Sequence, residues 1–208
     1  METILEQANA LAAAIETLAD DDAKINALNQ VREILHAVSP LKHHPVDCVQ
    51  WVKSETIEGN AYNPNFVAPP EMKLLMRSIE EDGYTMPIVT FPDAETVRIV
   101  DGFHRRKAER TSSAIHASTR GYLPISTIRP EKRSVSDRMA STIRHNRARG
   151  THNIDLMVDI VAELVESGMS NEWIMKHIGM DADELLRLKQ ISGLAALFKS
   201  HQYSYAWE

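Results

Sequence analysis

Cysteine is nearly missing from this chain: Cys48 is the single one in 208 residues. An internal disulfide framework is therefore excluded, and a reducing, cytoplasmic setting is expected. With Val46, Val49 and Trp51 around it, Cys48 reads as a buried structural thiol on a strand. Long apolar runs are also lacking. None approaches the roughly 20 residues of a membrane span, and the acidic, helix-patterned N-terminal segment is expected to be neither a signal nor a transit peptide. There is no internal repeat and no low-complexity segment. Zinc-type spacing is missing too, since His145 and His152 stand seven apart with no cysteine or carboxylate near them. Positive charge is in deficit overall, at a formal net charge of −6.

What charge there is lies unevenly. Residues 1–100 carry −9, residues 101–150 carry +8 and residues 151–208 carry −5. A basic block between two acidic ones points to a localised anion site, not to a protein that coats nucleic acid with its whole surface. Hydrophobic residues make up 43% of the chain, enough for one or two domains with a real core.

Periodicity divides the chain in three, with expected boundaries at 1–40, 45–150 and 151–208. In the first part Ile4, Ala8, Leu11, Ile15 and Leu18 form an a/d seam. The seam breaks at Asp20-Asp21-Asp22, which favour a helix start. Ile25, Leu28, Val31 and Leu35 make a second stripe. The result is a helical hairpin, packed on its own domain or serving as a homodimer element. The second part alternates. A strand is expected over Val46–Lys53, a turn at Asn63-Pro64-Asn65, and a helix opened by Pro69-Pro70-Glu71 with Met72, Leu75, Met76 and Ile79 buried. A hairpin of "PIVTF" and "TVRIV" follows, then a helix from about His104, the strand "YLPISTI", and a helix from Ser134 to about Arg144. The stretch Asn60–Pro70 has no clear periodicity and is expected to be a mobile lid. From Asn153 the pattern is helical only. Ile154, Met157, Val158, Val161 and Leu164 share a face, Gly168 stops it, and a short helix, a turn at Gly179 and a second helix give a helix-turn-helix layout.

The chemistry concentrates in "VDGFHRRKAER", Val100 to Arg110. A strand that ends in Asp-Gly and turns into a helix presents unsatisfied backbone N–H groups and a positive dipole end, an anion site. Gly102 admits a bulky anion close to the backbone. Arg105 and Arg106 supply forked, charge-assisted donors to phosphate. His104 donates to phosphate or transfers a proton, and Asp101 holds Mg²⁺ or a substrate hydroxyl, or caps the helix. Cations at a helix start oppose the dipole by a few tenths of a kcal/mol or more, a cost that an anion offsets. A second cluster, "RHNRARGTH" from Arg144 to His152, adds Arg147 and Arg149 and offers Asn146 as an oxygen ligand for phosphate-bound Mg²⁺.

These motifs resemble the ParB/sulfiredoxin superfamily, and within it the IbrB-type phage and prophage regulators, over about residues 45–195. Gly102-Phe103-His104-Arg105-Arg106-Lys107-Ala108 fits the frame of GERRxRA, His145-Asn146-Arg147-Ala148-Arg149 that of ENxQR, and Gly83 to Val89 resembles "GLLQPIVV". The resemblance implies an α+β fold: a small mixed sheet flanked by helices, with the N-terminal hairpin and a C-terminal all-α helix-turn-helix domain added. It also implies a nucleoside triphosphate, ATP or CTP, with Mg²⁺. Gly102, Phe103, His104, Arg105, Arg106, Arg147 and Arg149 would hold the nucleotide, Asn146 the metal, and Asp101 and His104 would be catalytic.

Departures from the family bound the activity. Phe103 stands where sulfiredoxin needs its cysteine, so sulfinic-acid reduction is not expected. The superfamily's free-serine kinases share a "DGHHR" element close to Asp101–Arg105, but no glutamate sits at Asn63-Pro64-Asn65, and Glu55 or Glu58 would have to substitute. A nuclease lacks its carboxylate cluster. Asp181, Asp183 and Glu184 open the second helix of the helix-turn-helix, where base-reading residues belong. The leading expectation is a nucleotide-binding, slowly NTP-hydrolysing regulator that meets DNA through its basic block. A kinase or nuclease, or an interaction module that binds a protein through its C-terminal helices, are the alternatives.

Overall fold

The computed structural model describes residues 2–59, 67–93, 96–128, 140, 143 and 154–199. Its centre is a five-stranded mixed sheet of β1 (Gln50–Lys53), β2 (Ile57–Glu58), β3 (Ile88–Asp93), β4 (Thr96–Asp101) and β5 (Tyr122–Thr127), in the order β1-β5-β3-β4-β2. The expected hairpin is present: β3 and β4 pair antiparallel, Thr90 opposite Ile99 and Phe91 opposite Arg98. β5 lies parallel to β3 and antiparallel to β1, and β2 runs parallel to β4. Parallel neighbours need a crossover, and β4 with α4 (Phe103–Thr111) and α5 (Ser113–Thr119) supplies it between β3 and β5.

One face of the sheet closes over Ile57, Ile88, Ile99, Leu123 and Ile125. A neighbouring cluster of Ile79, Ala108 and Ile115 joins α4 and α5 to α3 (Pro69–Asp82), whose Met72, Leu75 and Met76 pack there as their spacing requires. Pro69 and Pro70 occupy the first turn of α3, where no amide partner is lost. Glu71 accepts the N–H of Ala68 at 3.1 Å, and Gly83 at φ 73° ends the helix. Tyr84 belongs to both clusters and ties sheet to helices.

The first strand is shorter than its sequence suggests. Val46–Lys53 reads as one run, but Pro45–Asp47 is a single 3-10 turn and pairing starts at Gln50. The Asp47 carboxylate is drawn back to α2 (Asp21–Val38), 2.6 Å from His36 Nδ1 and 3.0 Å from Ser39 Oγ. Local hydrogen bonding outcompetes the ladder there. The N-terminal hairpin is α1 (Glu2–Glu16) followed by α2, with Asp20 capping α2 by accepting the N–H of Ala23 at 2.7 Å. α1 buries no residue. α2 buries none either but is tied to the fold by polar bonds: Asp21 to Arg120, Asp22 to Lys53, Glu33 to Gln50, His36 to Asp47, and Asn29 to β1. β1 is an edge strand, and the Asn29 amide pairs with its open side as a neighbouring strand would: Nδ2 donates to Trp51 O at 2.7 Å and Trp51 N donates to Oδ1 at 3.0 Å.

The C-terminal part has its own core. α6 (Ile154–Glu166), α7 (Asn171–Ile174) with the wide turn Met175–Gly179, and α8 (Ala182–Lys199) bring together Met157, Val161, Leu164, Ile174, Ile178 and Leu185, and Ala140 and Ile143 join them. Gly168 and Gly179 take φ of 80° and 76°, a backbone that only glycine adopts cheaply, so the breaks fall where the sequence put them. Asp181, an acid where a base-reading residue was expected, proves to be a helix cap. Its Oδ1 accepts the N–H of Glu184 at 2.7 Å and so secures the start of α8.

Removing the Asn29 amide strands two backbone groups of a partly buried edge strand. Asn29→Ala should lower stability by about 1–3 kcal/mol in urea denaturation and speed hydrogen exchange at the Trp51 amide. Unchanged exchange at that amide would show that α2 is held by other contacts.

Candidate functional site

The candidate site is the β4–α4 junction. Asp101 ends the strand, Gly102 turns the chain at φ 101° and ψ 19°, and α4 starts at Phe103 with no side-chain cap. The first helical bond runs from Arg106 N to Gly102 O at 3.1 Å, so the amides of the turn before it lie outside the helical ladder. An uncapped N-terminus entered through a left-handed glycine leaves amides that can meet an anion.

Arg105 and Arg106 are adjacent but serve different surroundings. Arg105 folds back across the junction: Nη1 donates to Pro87 O at 2.7 Å and Met86 O at 3.0 Å, and Nη2 to Asp101 Oδ2 at 3.1 Å. Both charges of this pair are largely buried, their side chains 14% and 10% exposed. Its backbone is held as well, since Tyr84 Oη donates to Arg105 O at 2.8 Å. Burial pushes the Tyr84 phenol well above its ordinary value, so it stays a neutral donor. Arg105 thus clamps the segment before β3 onto the first turn of α4 and holds Asp101 in place. A side chain at Gly102 would meet Arg105 Nη2 at 2.9 Å.

His104 is half-buried. Desolvation first, and Lys107 second, lower its pKa from the ordinary 6.5, against a smaller opposing pull from Asp101. It is neutral at pH 7, a donor or acceptor rather than a fixed cation. Phe103 sets its ring edge-on to His104, centroids 5.5 Å apart, and lies close enough to Gly59 that an added Cβ would touch it at 3.4 Å. Arg106 turns the other way, into a cleft beside Ser54 and Glu55. Asn146, Arg147 and Arg149 lie outside the described residues, as do residues 60–66 of the expected lid and the expected helix from Ser134 apart from Ala140 and Ile143. Pro69 and Pro70, at that lid's end, belong to α3. Among the described residues no group of three or more His, Cys, Asp or Glu is placed to hold a metal ion, and no helix is long and apolar enough to cross a membrane. Cys48 lies in the bend before β1, not on a strand, and is only partly buried; that burial pushes its thiol up.

Sequence reasoning missed Glu109. It is 1% exposed on the inner face of α4, accepts from Ser54 Oγ at 2.6 Å, and stands 2.6 Å from His116 Nδ1. Its one sequence signal was its place beside Ala108 on the helix's apolar face.

Residues 152–200 match the family model of the IbrB-like C-terminal HTH domain. The chain is 50% identical over 194 residues to the uncharacterized protein YbdM of Escherichia coli strain K12, covering 93% of this chain and 91% of that one. Two solved structures of the C-terminally truncated chromosome-partitioning protein ParB from Caulobacter crescentus are similar at lower levels. The complex with CTP-gamma-S has 20% identity and a TM-score of 0.40, covering 71% of this chain and 78% of the other. The complex with the centromeric parS site has 15% identity and a TM-score of 0.44, covering 73% and 80%.

Two outcomes follow from the junction. Arg105→Ala leaves the Asp101 carboxylate without its guanidinium partner and should cost about 3 kcal/mol of stability, read by chemical denaturation; a loss below about 1 kcal/mol would mean the clamp is dispensable. The second outcome concerns pH. Because the folded-state value of His104 is lowered, its contribution is complete above pH 6.5 and is lost as pH falls through that lowered value, where the unfolded chain takes up the proton more readily. His104→Gln should flatten this part of the stability profile, and a profile identical to that of the native chain would refute the assignment.

Proposed function

We propose that this chain, which belongs to the family of the Escherichia coli protein YbdM, is a nucleotide-binding regulator that acts on DNA. The observation that carries the reading is the uncapped start of α4 behind Gly102 in its left-handed turn. Backbone amides there suit phosphate oxygens, and Gly102 and Phe103 form the floor on which a triphosphate rests. Arg105 organises this floor by clamping it, and its contacts with Asp101 and the two carbonyls make it a positioning residue in this arrangement. Neutral His104 is suited to donate to a phosphate or to take a proton from an attacking water. Asn146 would carry the Mg²⁺ and Arg147 and Arg149 the outer phosphates, as the motif resemblance implies. Mg²⁺ would neutralise phosphate charge and assist slow hydrolysis.

The helix-turn-helix match at residues 152–200 supports the DNA side. Its charge does not match ordinary groove reading, because residues 151–208 carry −5 while residues 101–150 carry +8. Phosphate neutralisation supplies most non-specific DNA affinity. DNA is therefore drawn mainly to the basic block, where it competes with nucleotide, and the C-terminal helices orient the duplex or hold a protein partner.

The test is a pair of measurements on the intact chain. Calorimetry with ATP, CTP and GTP, with and without Mg²⁺, should show one nucleotide binding, and Gly102→Ala should weaken it roughly ten- to a hundredfold while circular dichroism stays unchanged. Fluorescence anisotropy with labelled duplex should show affinity that falls steeply with salt and drops when that nucleotide is added. Equal nucleotide affinity in the folded variant would refute the phosphate floor. Sequence-specific DNA binding indifferent to nucleotide would make the protein a conventional helix-turn-helix regulator.

A further inference from the structure

A second cation cluster lies along α4. Between the 3-10 turn after β1, α4 and the end of α5 lies a cleft of about 520 Å³. Five of the residues lining it are basic: Lys53, Arg106, Arg110, His116 and Arg120. That volume suits a small molecule and exceeds a lone ion.

Three features fit the cleft to an anion. The Nε–H of Arg106 is buried and has no hydrogen-bond acceptor. A buried donor in that state is unfavourable unless a ligand takes it up. Arg110 stands one turn further along α4, on the same side, and the two like charges oppose each other with no ion pair for either among the described residues. Lys53 and Arg120 do have partners, and those partners are carboxylates of another element. Lys53 Nζ lies 2.9 Å from Asp22, and Arg120 Nε donates to Asp21. Both aspartates sit at the start of α2, so the acidic N-terminal hairpin already supplies the cleft with negative charge at its rim. The one buried acid, Glu109, does not serve Arg106 directly, because one of its oxygens takes Ser54 Oγ and the other faces His116 Nδ1.

We propose that this cleft binds the phosphate of a phosphorylated small molecule on Arg106 and Arg110, with Asp21 and Asp22 of α2 as intramolecular competitors for Lys53 and Arg120. Arg106 takes the phosphate with its buried Nε–H and Arg110 with its fork, a pairing that suits a tetrahedral dianion. His116, held by Glu109 through Nδ1, lines the cleft beside them. When ligand enters, Lys53 and Arg120 exchange the aspartates for phosphate oxygens and the start of α2 loosens from the sheet. Arg110 takes no part in the nucleotide floor, so a test that turns on Arg110 lets the two readings fail separately.

Calorimetry with inorganic pyrophosphate on the full chain tests it. Arg110 is exposed and has no ion pair among the described residues, so Arg110→Ala should fold normally and weaken pyrophosphate roughly ten- to a hundredfold, the loss of one charge-assisted contact. The double variant Asp21→Asn, Asp22→Asn should tighten it several-fold. Nucleotide affinity should be the same in Arg110→Ala as in the native chain. Pyrophosphate binding that ignores Arg110→Ala overturns the proposal, as does a double variant that binds no better. If Arg110→Ala instead weakens duplex DNA by the larger factor, the cations belong to a nucleic-acid surface and the small-molecule site is wrong.

Discussion

Much of this molecule hangs on the placement of one guanidinium. Arg105 sits in the first turn of a helix, where a cation opposes the dipole, yet its fork is committed to Asp101 and to two carbonyls of the segment before β3. Those bonds offset the unfavourable position. The arginine fixes the angle at which strand gives way to helix, keeps the Asp101 carboxylate compensated in a nearly dry position, and brings Tyr84 against the helix backbone. The first turn of α4 is thereby tied to the end of β4 and to the segment before β3. Preorganised amides lose little on meeting an anion, because they need no reordering.

Charge is paired in the same way elsewhere. The acidic hairpin and the basic block are not two independent surfaces: Asp21 and Asp22 meet Arg120 and Lys53 directly, and Asn29 pairs the same helix to the sheet's edge. Pairs as exposed as these contribute little to stability one by one. They matter as an arrangement in which negative charge at one end of the chain is held over positive charge near its middle, within reach of anything phosphorylated that competes for it.

The sequence disclosed those features that local chemistry decides. Gly102 turning into a helix, the β3–β4 hairpin, the breaks at Gly83, Gly168 and Gly179, and the cap at Asp20 all follow from residues within four or five positions of one another. What stayed hidden was long-range. Arg105 finds its carbonyl partners 18 and 19 residues back, Ser54 finds Glu109 across 55 residues, and Asn29 meets Trp51 across 22. No periodicity marks such pairs, and two adjacent arginines look equivalent until the fold sends one to a clamp and the other to a cleft. Asp181 is the converse case: its cap to Glu184, three residues on, was a local signal, overshadowed by the expectation that the second helix of a helix-turn-helix should be basic.

The central claim is that phosphate rests on the backbone at the start of α4. Amide-resolved NMR of the intact, isotope-labelled chain titrated with Mg²⁺ and the nucleotide it binds would test this most directly. The account expects the largest shifts at the amides of Gly102, Phe103 and His104, with small, secondary changes over residues 154–199. Shifts that leave those three amides in place and gather elsewhere in the chain would contradict it.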